Sequence, residues 1–333
     1  MKKMMIAFMA VWGMVSCTKE RVLNEPGNLV PRTVDQDPGL PSIFVNNALL
    51  HAEAFGHPDS TLIVVIHGGP GSDYRDLLTS KSLAAHGYRV VFYDQRGSGL
   101  SQRFPHKYYT SLGRGAVDLM YDELSGVIAH FRTEVNQKVY LVGHSWGGIL
   151  AAGYTGKNPD KVDGLVVAEP GGLKWEDIET YVKESRSFSL WSELFNDAGF
   201  IEQFISGKTD QHEILDYRAG MLGSKNDITG DDAPVPGNAW RAGAVINAAM
   251  FEVGDKYHPD FSAGLEQFQP PVLFLYSGRN KVYTSAWAQH IAGAFKNVQL
   301  CKVQGVGHEG IIANSGAWST ITEPNILKYF QSL

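Results

Sequence analysis

Apolar residues along this chain fall into short, β-branched runs set between longer stretches of helical periodicity. The runs at 62–66, 89–93, 139–142, 165–168, 272–276 and 298–303 are too short for buried helices and carry the Val, Ile and aromatic content of strands. Between them, apolar residues recur at three- and four-residue spacing over 77–85, 117–131, 149–156, 285–295 and 321–330, predicting helices with one buried face. Residues 43–55 alternate in a way that predicts an opening antiparallel hairpin. Strands alternating with helices specify an α/β fold with a mostly parallel sheet, eight strands in all, and helices on both faces.

The alternation stops between 171 and 270 and resumes at Val272. This stretch is rich in aromatics, among them Trp175, Tyr181, Phe188, Trp191, Phe195, Phe200, Phe204, Tyr217 and Trp240. It reads as a helical cap inserted into a core made of 42–170 and 271–333, with most of its aromatics forming cap core. Asp231, Asp232, Pro234, Pro236 and Gly237 predict a loop within it.

The first 17 residues differ from the rest. Lys2 and Lys3 precede an apolar run that is too short to span a bilayer and ends at Ser16 and Cys17, the pattern of an export signal. Met14-Val15-Ser16-Cys17 resembles a bacterial lipobox, although that pattern prefers Leu and a small residue where Met14 and Val15 stand. The resemblance implies membrane attachment through a lipidated Cys17 at the periplasmic or cell surface. The alternative is ordinary signal cleavage nearby. Residues 18–41, with Pro26, Gly27, Pro31, Pro38, Gly39 and Pro41, read as a tether. Past Cys17 only Cys301 remains, so neither an internal disulfide nor a cysteine metal cluster is available.

Composition narrows the functional classes. The chain is 44% hydrophobic and 19% charged over 333 residues, the balance of a folded globular body and not of a multi-span membrane protein. A net charge of −6, without Lys/Arg runs interleaved with aromatics, removes the electrostatic basis for nucleic-acid binding.

Three segments carry chemistry. In Gly143-His144-Ser145-Trp146-Gly147, an apolar strand runs through a Gly-x-Ser-x-Gly turn into a helix. This is the setting in which Ser145 sits on a strained turn and acts as a nucleophile. His144 would project away from Ser145 and is read as structural. Upstream, 62–66 runs into His67-Gly68-Gly69-Pro70-Gly71, a glycine loop whose backbone can approach a developing oxyanion. The Gly69 and Trp146 N–H groups are the candidate donors. Near the C-terminus, His308 lies among glycines in Gly305-Val306-Gly307-His308-Glu309-Gly310, directly after a strand, the position of a general base in this chain order.

His67-Gly68-Gly69-Pro70-Gly71, Asp94-Gln95-Arg96-Gly97-Ser98-Gly99 and Gly143-His144-Ser145-Trp146-Gly147 together resemble proline iminopeptidases of the α/β-hydrolase superfamily. The resemblance covers 63–148 and the late histidine. It implies an α/β-hydrolase fold, a catalytic role for His308 and structural roles for Asp94 and Arg96. It also implies a small or short-peptide substrate with a free N-terminus, whose ammonium would be met by cap carboxylates such as Glu176, Glu179, Glu184, Glu193, Glu202 or Glu252. No metal or organic cofactor is called for.

The third member of the triad departs from the pattern. Where such enzymes place an Asp, this chain reads Ser277-Gly278-Arg279-Asn280. Glu169, at the end of the strand after the nucleophile helix, is the preferred acid, since some α/β-hydrolases carry theirs there. A buried Glu also needs a partner. Two alternatives stay open: Asn280 as a weakened third member, or Glu169 as a group that binds the substrate amine. The resulting expectation is a serine hydrolase acting through an acyl-enzyme, an aminopeptidase of the proline iminopeptidase type. A carboxylesterase or lipase-like enzyme, and a weakly active binding protein on the same scaffold, are the alternatives. A serine at the turn disfavours epoxide-hydrolase or dehalogenase chemistry, which forms an alkyl ester on a carboxylate.

Overall fold

The structure is a computed structural model that describes residues 28–185, 210–221, 225–232 and 240–333. The expected signal segment and Cys17 lie outside the described residues, as do Phe188, Trp191, Phe195, Phe200, Phe204, Pro234, Pro236 and Gly237.

The central strands are β1 (Ser42–Val45), β2 (Ala48–Phe55), β3 (Leu62–Ile66), β4 (Arg89–Tyr93), β5 (Val139–His144) and β6 (Gly164–Ala168). After a small hairpin of β7 (Lys225–Asn226) and β8 (Asp231–Asp232) come β9 (Val272–Ser277) and β10 (Val298–Val303). The main sheet has eight strands in the order β1-β2-β4-β3-β5-β6-β9-β10. Only the β1–β2 and β2–β4 pairs are antiparallel. Asn46 and Asn47, both at positive φ, make the two-residue turn from β1 to β2, a conformation Asn tolerates well.

β3 shows how the sequence pattern builds the layers. All five of its residues are buried. Leu62, Val64 and Ile66 face one apolar cluster while Ile63 and Val65 face the other. The first cluster takes helices α1 (Gly115–Phe131), α2 (Trp146–Lys157) and, later in the chain, α6 (Ser285–Ala292); the second takes the 3₁₀ segment Tyr74–His86 and the C-terminal α7 (Glu323–Gln331). Burying each such aliphatic side chain contributes about 1.5–3 kcal/mol, so a strand enclosed on both faces is a strong anchor for the loops at its ends.

Among the described residues of 171–270, the expected cap, lie α3 (Trp175–Ser185), α4 (Gln211–Met221) and α5 (Ala244–Tyr257). This segment departs from the expectation in two respects. Asp231 and Asp232 form strand β8, paired to β7, instead of a loop. The described cap aromatics also do not make a separate core: Trp175 and Tyr181, with Ile246 and Met250 of α5, join the same cluster as α1 and α2. A Cβ on Gly254 would fall on the Trp175 ring, so α5 is seated against α3 by that glycine.

The expected tether is also modified. From residue 28 the chain is packed against the body: Thr33 and Val34 are buried and Val34 N–H donates to Leu100 O at 2.8 Å. Leu29 N–H donates to Glu213 Oε1 of α4 at 2.7 Å. Proline and glycine content signals an irregular path but does not exclude docking.

Candidate active site

Ser145 sits between β5 and α2 with φ 54° and ψ −123°, a backbone state that costs a non-glycine residue strain and holds its side chain out of the strand. Its N–H donates to Ala168 O at 2.9 Å. The flanking glycines are required by packing. A Cβ on Gly147 would strike the Ile66 carbonyl, and one on Gly143 would strike the Gly147 carbonyl.

Ser145 and His308 line one cleft of about 660 Å³, together with the Gly68–Gly71 loop, Asp231, the Trp240–Ala244 segment and Glu309. Gly69 lies in that wall at φ 117°. Trp146 opens α2, so its N–H is one of the first-turn donors that a helix leaves without an internal acceptor. Its indole is held from below: Nε1–H donates to Gln95 Oε1 at 3.0 Å, and Gln95 Nε2 donates to His67 O at 2.9 Å.

His308 is pinned from both sides. Its N–H donates to Thr229 O at 3.1 Å, and its carbonyl accepts from His144 Nε2 at 2.9 Å. His144 is thereby structural, with burial, helped by the charge on His308, pushing its pKa down to about 3. Gly307 lets the β7–β8 hairpin approach, since a Cβ there would meet the Gly230 backbone.

Glu169 is fully buried at the end of β6, with a positive φ of 46°. Its Oε1 is 3.4 Å from His308 Nδ1, and its Oε2 accepts from Ser277 N at 2.7 Å. A carboxylate at Nδ1 places the ring proton there and leaves Nε2 as the basic nitrogen. Burial alone would lower the His308 pKa. The hydrogen bond and charge of Glu169, with the charges of Glu309 and Asp231, outweigh burial and raise it to about 9.

Asn280 contacts Glu169: its Nδ2 donates to Oε1, and also to the Tyr181 hydroxyl at 3.1 Å. Tyr181, from cap helix α3, lies 3.3 Å from His308 Nδ1. The role of Tyr181 and the placement of Asp231 beside His308 were not legible in the sequence. Both residues are distant from His308 along the chain, and no spacing rule ties them to it.

Asp94 and Arg96 lie beneath the site. Asp94 accepts from Tyr74 N at 3.1 Å and Leu100 N at 2.8 Å and pairs with His51 Nδ1 at 2.8 Å. Arg96 is wholly buried, with Nε 2.6 Å from Glu123 Oε2 and Nη1 donating to the Tyr108 hydroxyl at 2.9 Å. Of the cap carboxylates expected to meet a substrate ammonium, Glu176 pairs with His258, Glu179 with Lys183 and Glu252 with His106. These three and the exposed Glu184 do not line the cleft, and Glu193 and Glu202 lie outside the described residues.

The chain belongs to the α/β-hydrolase fold family, which matches residues 61–315. Within that family it resembles the proline iminopeptidases. One of these, from Heyndrickxia coagulans, is 39% identical over 111 residues, 33% of this chain and 35% of that one. Epoxide hydrolase 1 of Caenorhabditis elegans is 26% identical over 276 residues, 80% of this chain and 65% of its own. The chain thus spans less than two thirds of the length of either relative. A solved proline iminopeptidase of Mycobacterium smegmatis superposes with a TM-score of 0.57 over 88% of this chain and 99% of its own, at 16% identity, a likeness of fold.

Proposed function

We propose that the protein is a serine hydrolase that works through an acyl-enzyme. In this reading His308 Nε2 takes the Ser145 hydroxyl proton as Oγ attacks a carbonyl carbon. The Gly69 and Trp146 N–H groups hold the oxyanion, Glu169 stabilises the imidazolium, and the same proton passes to the leaving group. Water, activated by His308, then releases the acid and restores Ser145. The observation that carries this reading is the approach of the buried Glu169 to Nδ1 of His308, which lines the same cleft as Ser145.

For substrate, the proposal is an amide or short peptide with a free N-terminus, the aminopeptidase class of the proline iminopeptidase relatives. Several carboxylates line the cleft, Asp231 and Glu309 on the His308 side among them, and in this reading one of them meets the ammonium. Labelling with a fluorophosphonate, with and without Ser145→Ala, tests the chemistry: a folded wild-type protein that takes no label would refute it. Turnover of amino-acid anilides against p-nitrophenyl esters tests the class, and ester cleavage without aminopeptidase activity would move the protein to the esterases. Lipidation of Cys17 is proposed from the sequence, and loss of radiolabelled palmitate in Cys17→Ala is its test.

A further inference from the structure

Asn280 occupies the place from which relatives by resemblance present their acid, yet its side chain is directed at another carboxylate. The two amide protons of Nδ2 go to two acceptors, Glu169 Oε1 and the Tyr181 hydroxyl. Its Oδ1 accepts from both Val282 N and Tyr283 N at 3.0 Å, which fixes the amide so that nitrogen, not oxygen, faces Glu169. Glu169 Oε2 is held by Ser277 N, leaving Oε1 as the atom that meets both Asn280 and His308 Nδ1. Tyr181 closes the circuit, with its hydroxyl within 3.3 Å of the same His308 nitrogen.

We infer that Asn280 is a positioning residue for a relocated triad acid: its amide aims Glu169 Oε1 at His308 Nδ1 and makes an Asp at position 280 incompatible with a Glu at 169. The inference rests on the reading of Glu169 as the acid. An Asp at 280 would keep the Oδ1 acceptor for Val282 and Tyr283 but would turn a second carboxylate oxygen on Glu169 Oε1. Two buried carboxylates in contact cannot both ionise without cost, and they come to share a proton. The acid would then be weakened as a partner for imidazolium. Other groups facing this cluster are the Glu309 and Asp231 carboxylates on the His308 side and the buried Tyr283 phenol near Glu169. The carboxylates bring no donor when ionised, and the Tyr283 hydroxyl already donates to Pro170 O at 2.7 Å, so none of them replaces the Asn280 amide.

The test is a cycle of Asn280→Asp and Glu169→Gln, singly and together, in the full-length enzyme, with kcat and KM measured across the pH range that brackets the His308 transition. Asn280→Asp is nearly isosteric and keeps the local turn, so a folded protein with a somewhat lowered thermal midpoint is expected, and that midpoint reports folding separately from kcat. With Glu169 present, Asn280→Asp is expected to lower kcat about tenfold or more with little change in KM. In the Glu169→Gln background, where the introduced amide can donate to the new carboxylate, the same substitution is expected to leave kcat unchanged or raise it. A loss by the same factor in both backgrounds, or no loss beside Glu169, would overturn the positioning role while leaving Glu169 as the acid. Wild-type turnover in Glu169→Gln would instead overturn the acid assignment itself.

Discussion

The carboxylate of Glu169 reaches His308 Nδ1 from the end of β6, at 3.4 Å, while the end of β9 supplies the amide of Asn280. Neighbouring parallel strands end side by side, so either can present a group to the same imidazole edge. A Glu has the extra methylene needed from the more distant one.

Glu169→Gln removes the negative charge while leaving the shape. With Glu169 as the acid of the proposed triad, and loss of that member costing a serine protease about 10⁴-fold in turnover, a fall in kcat of about 10³- to 10⁴-fold is expected with KM little affected. Steady-state kinetics on the best substrate of the panel would show it.

The His308 pKa of about 9 makes a signed prediction for pH. The imidazole is a base only when neutral, so kcat/KM should climb with pH and level off alkaline of about 9. In Glu169→Gln the burial effect is less opposed, and the limb should move to lower pH. For stability the sign is opposite. A folded pKa raised above the ordinary 6.5 stabilises the fold fully below 6.5, and that contribution is lost as pH rises through about 9. Denaturation midpoints on either side of this window would measure it.

The Arg96–Glu123 pair lies wholly inside the protein. Glu123→Ala leaves a buried guanidinium without its counter-charge, and a loss of about 3–5 kcal/mol is expected in urea unfolding. The double change Arg96→Met with Glu123→Leu should restore much of it. A pair worth only what a surface ion pair is worth, about 0–1 kcal/mol, would contradict the buried geometry.

Leu29, Val30 and Pro31 form part of the cleft wall, held there by Glu213 and by Arg241 Nη1, which donates to Pro31 O at 2.9 Å. Trimming Leu29 and Val30 to Ala should relax size selection, raising kcat/KM for bulky over small substrates by about three- to tenfold. An unchanged ratio would place substrates elsewhere in the cleft.

Much of this architecture was written in local pattern. The alternation of β-branched runs with helical stretches gave the sheet and its layers, because strand and helix periodicities bury one face or two in recognisable ways. The Ser145 turn was legible for the same reason: Gly143 and Gly147 are demanded by contacts with backbone a few residues away or on the adjacent strand. His308 could be placed by chain order. The docking of residues 28–41 and the β7–β8 hairpin escaped, since each depends on a partner surface that no neighbouring residue encodes.

By itself, then, the sequence determined the fold class, the strained serine and the late histidine, all features fixed by local backbone geometry and by the order of strands. Only the tertiary structure decided which carboxylate meets the histidine and that Asn280 faces that carboxylate rather than the ring. It also brought Tyr181 and Asp231 to the same cluster. Those relationships arise where separate elements converge at the buried floor of the cleft, where a difference of one methylene or one amide orientation selects the partner of a charge.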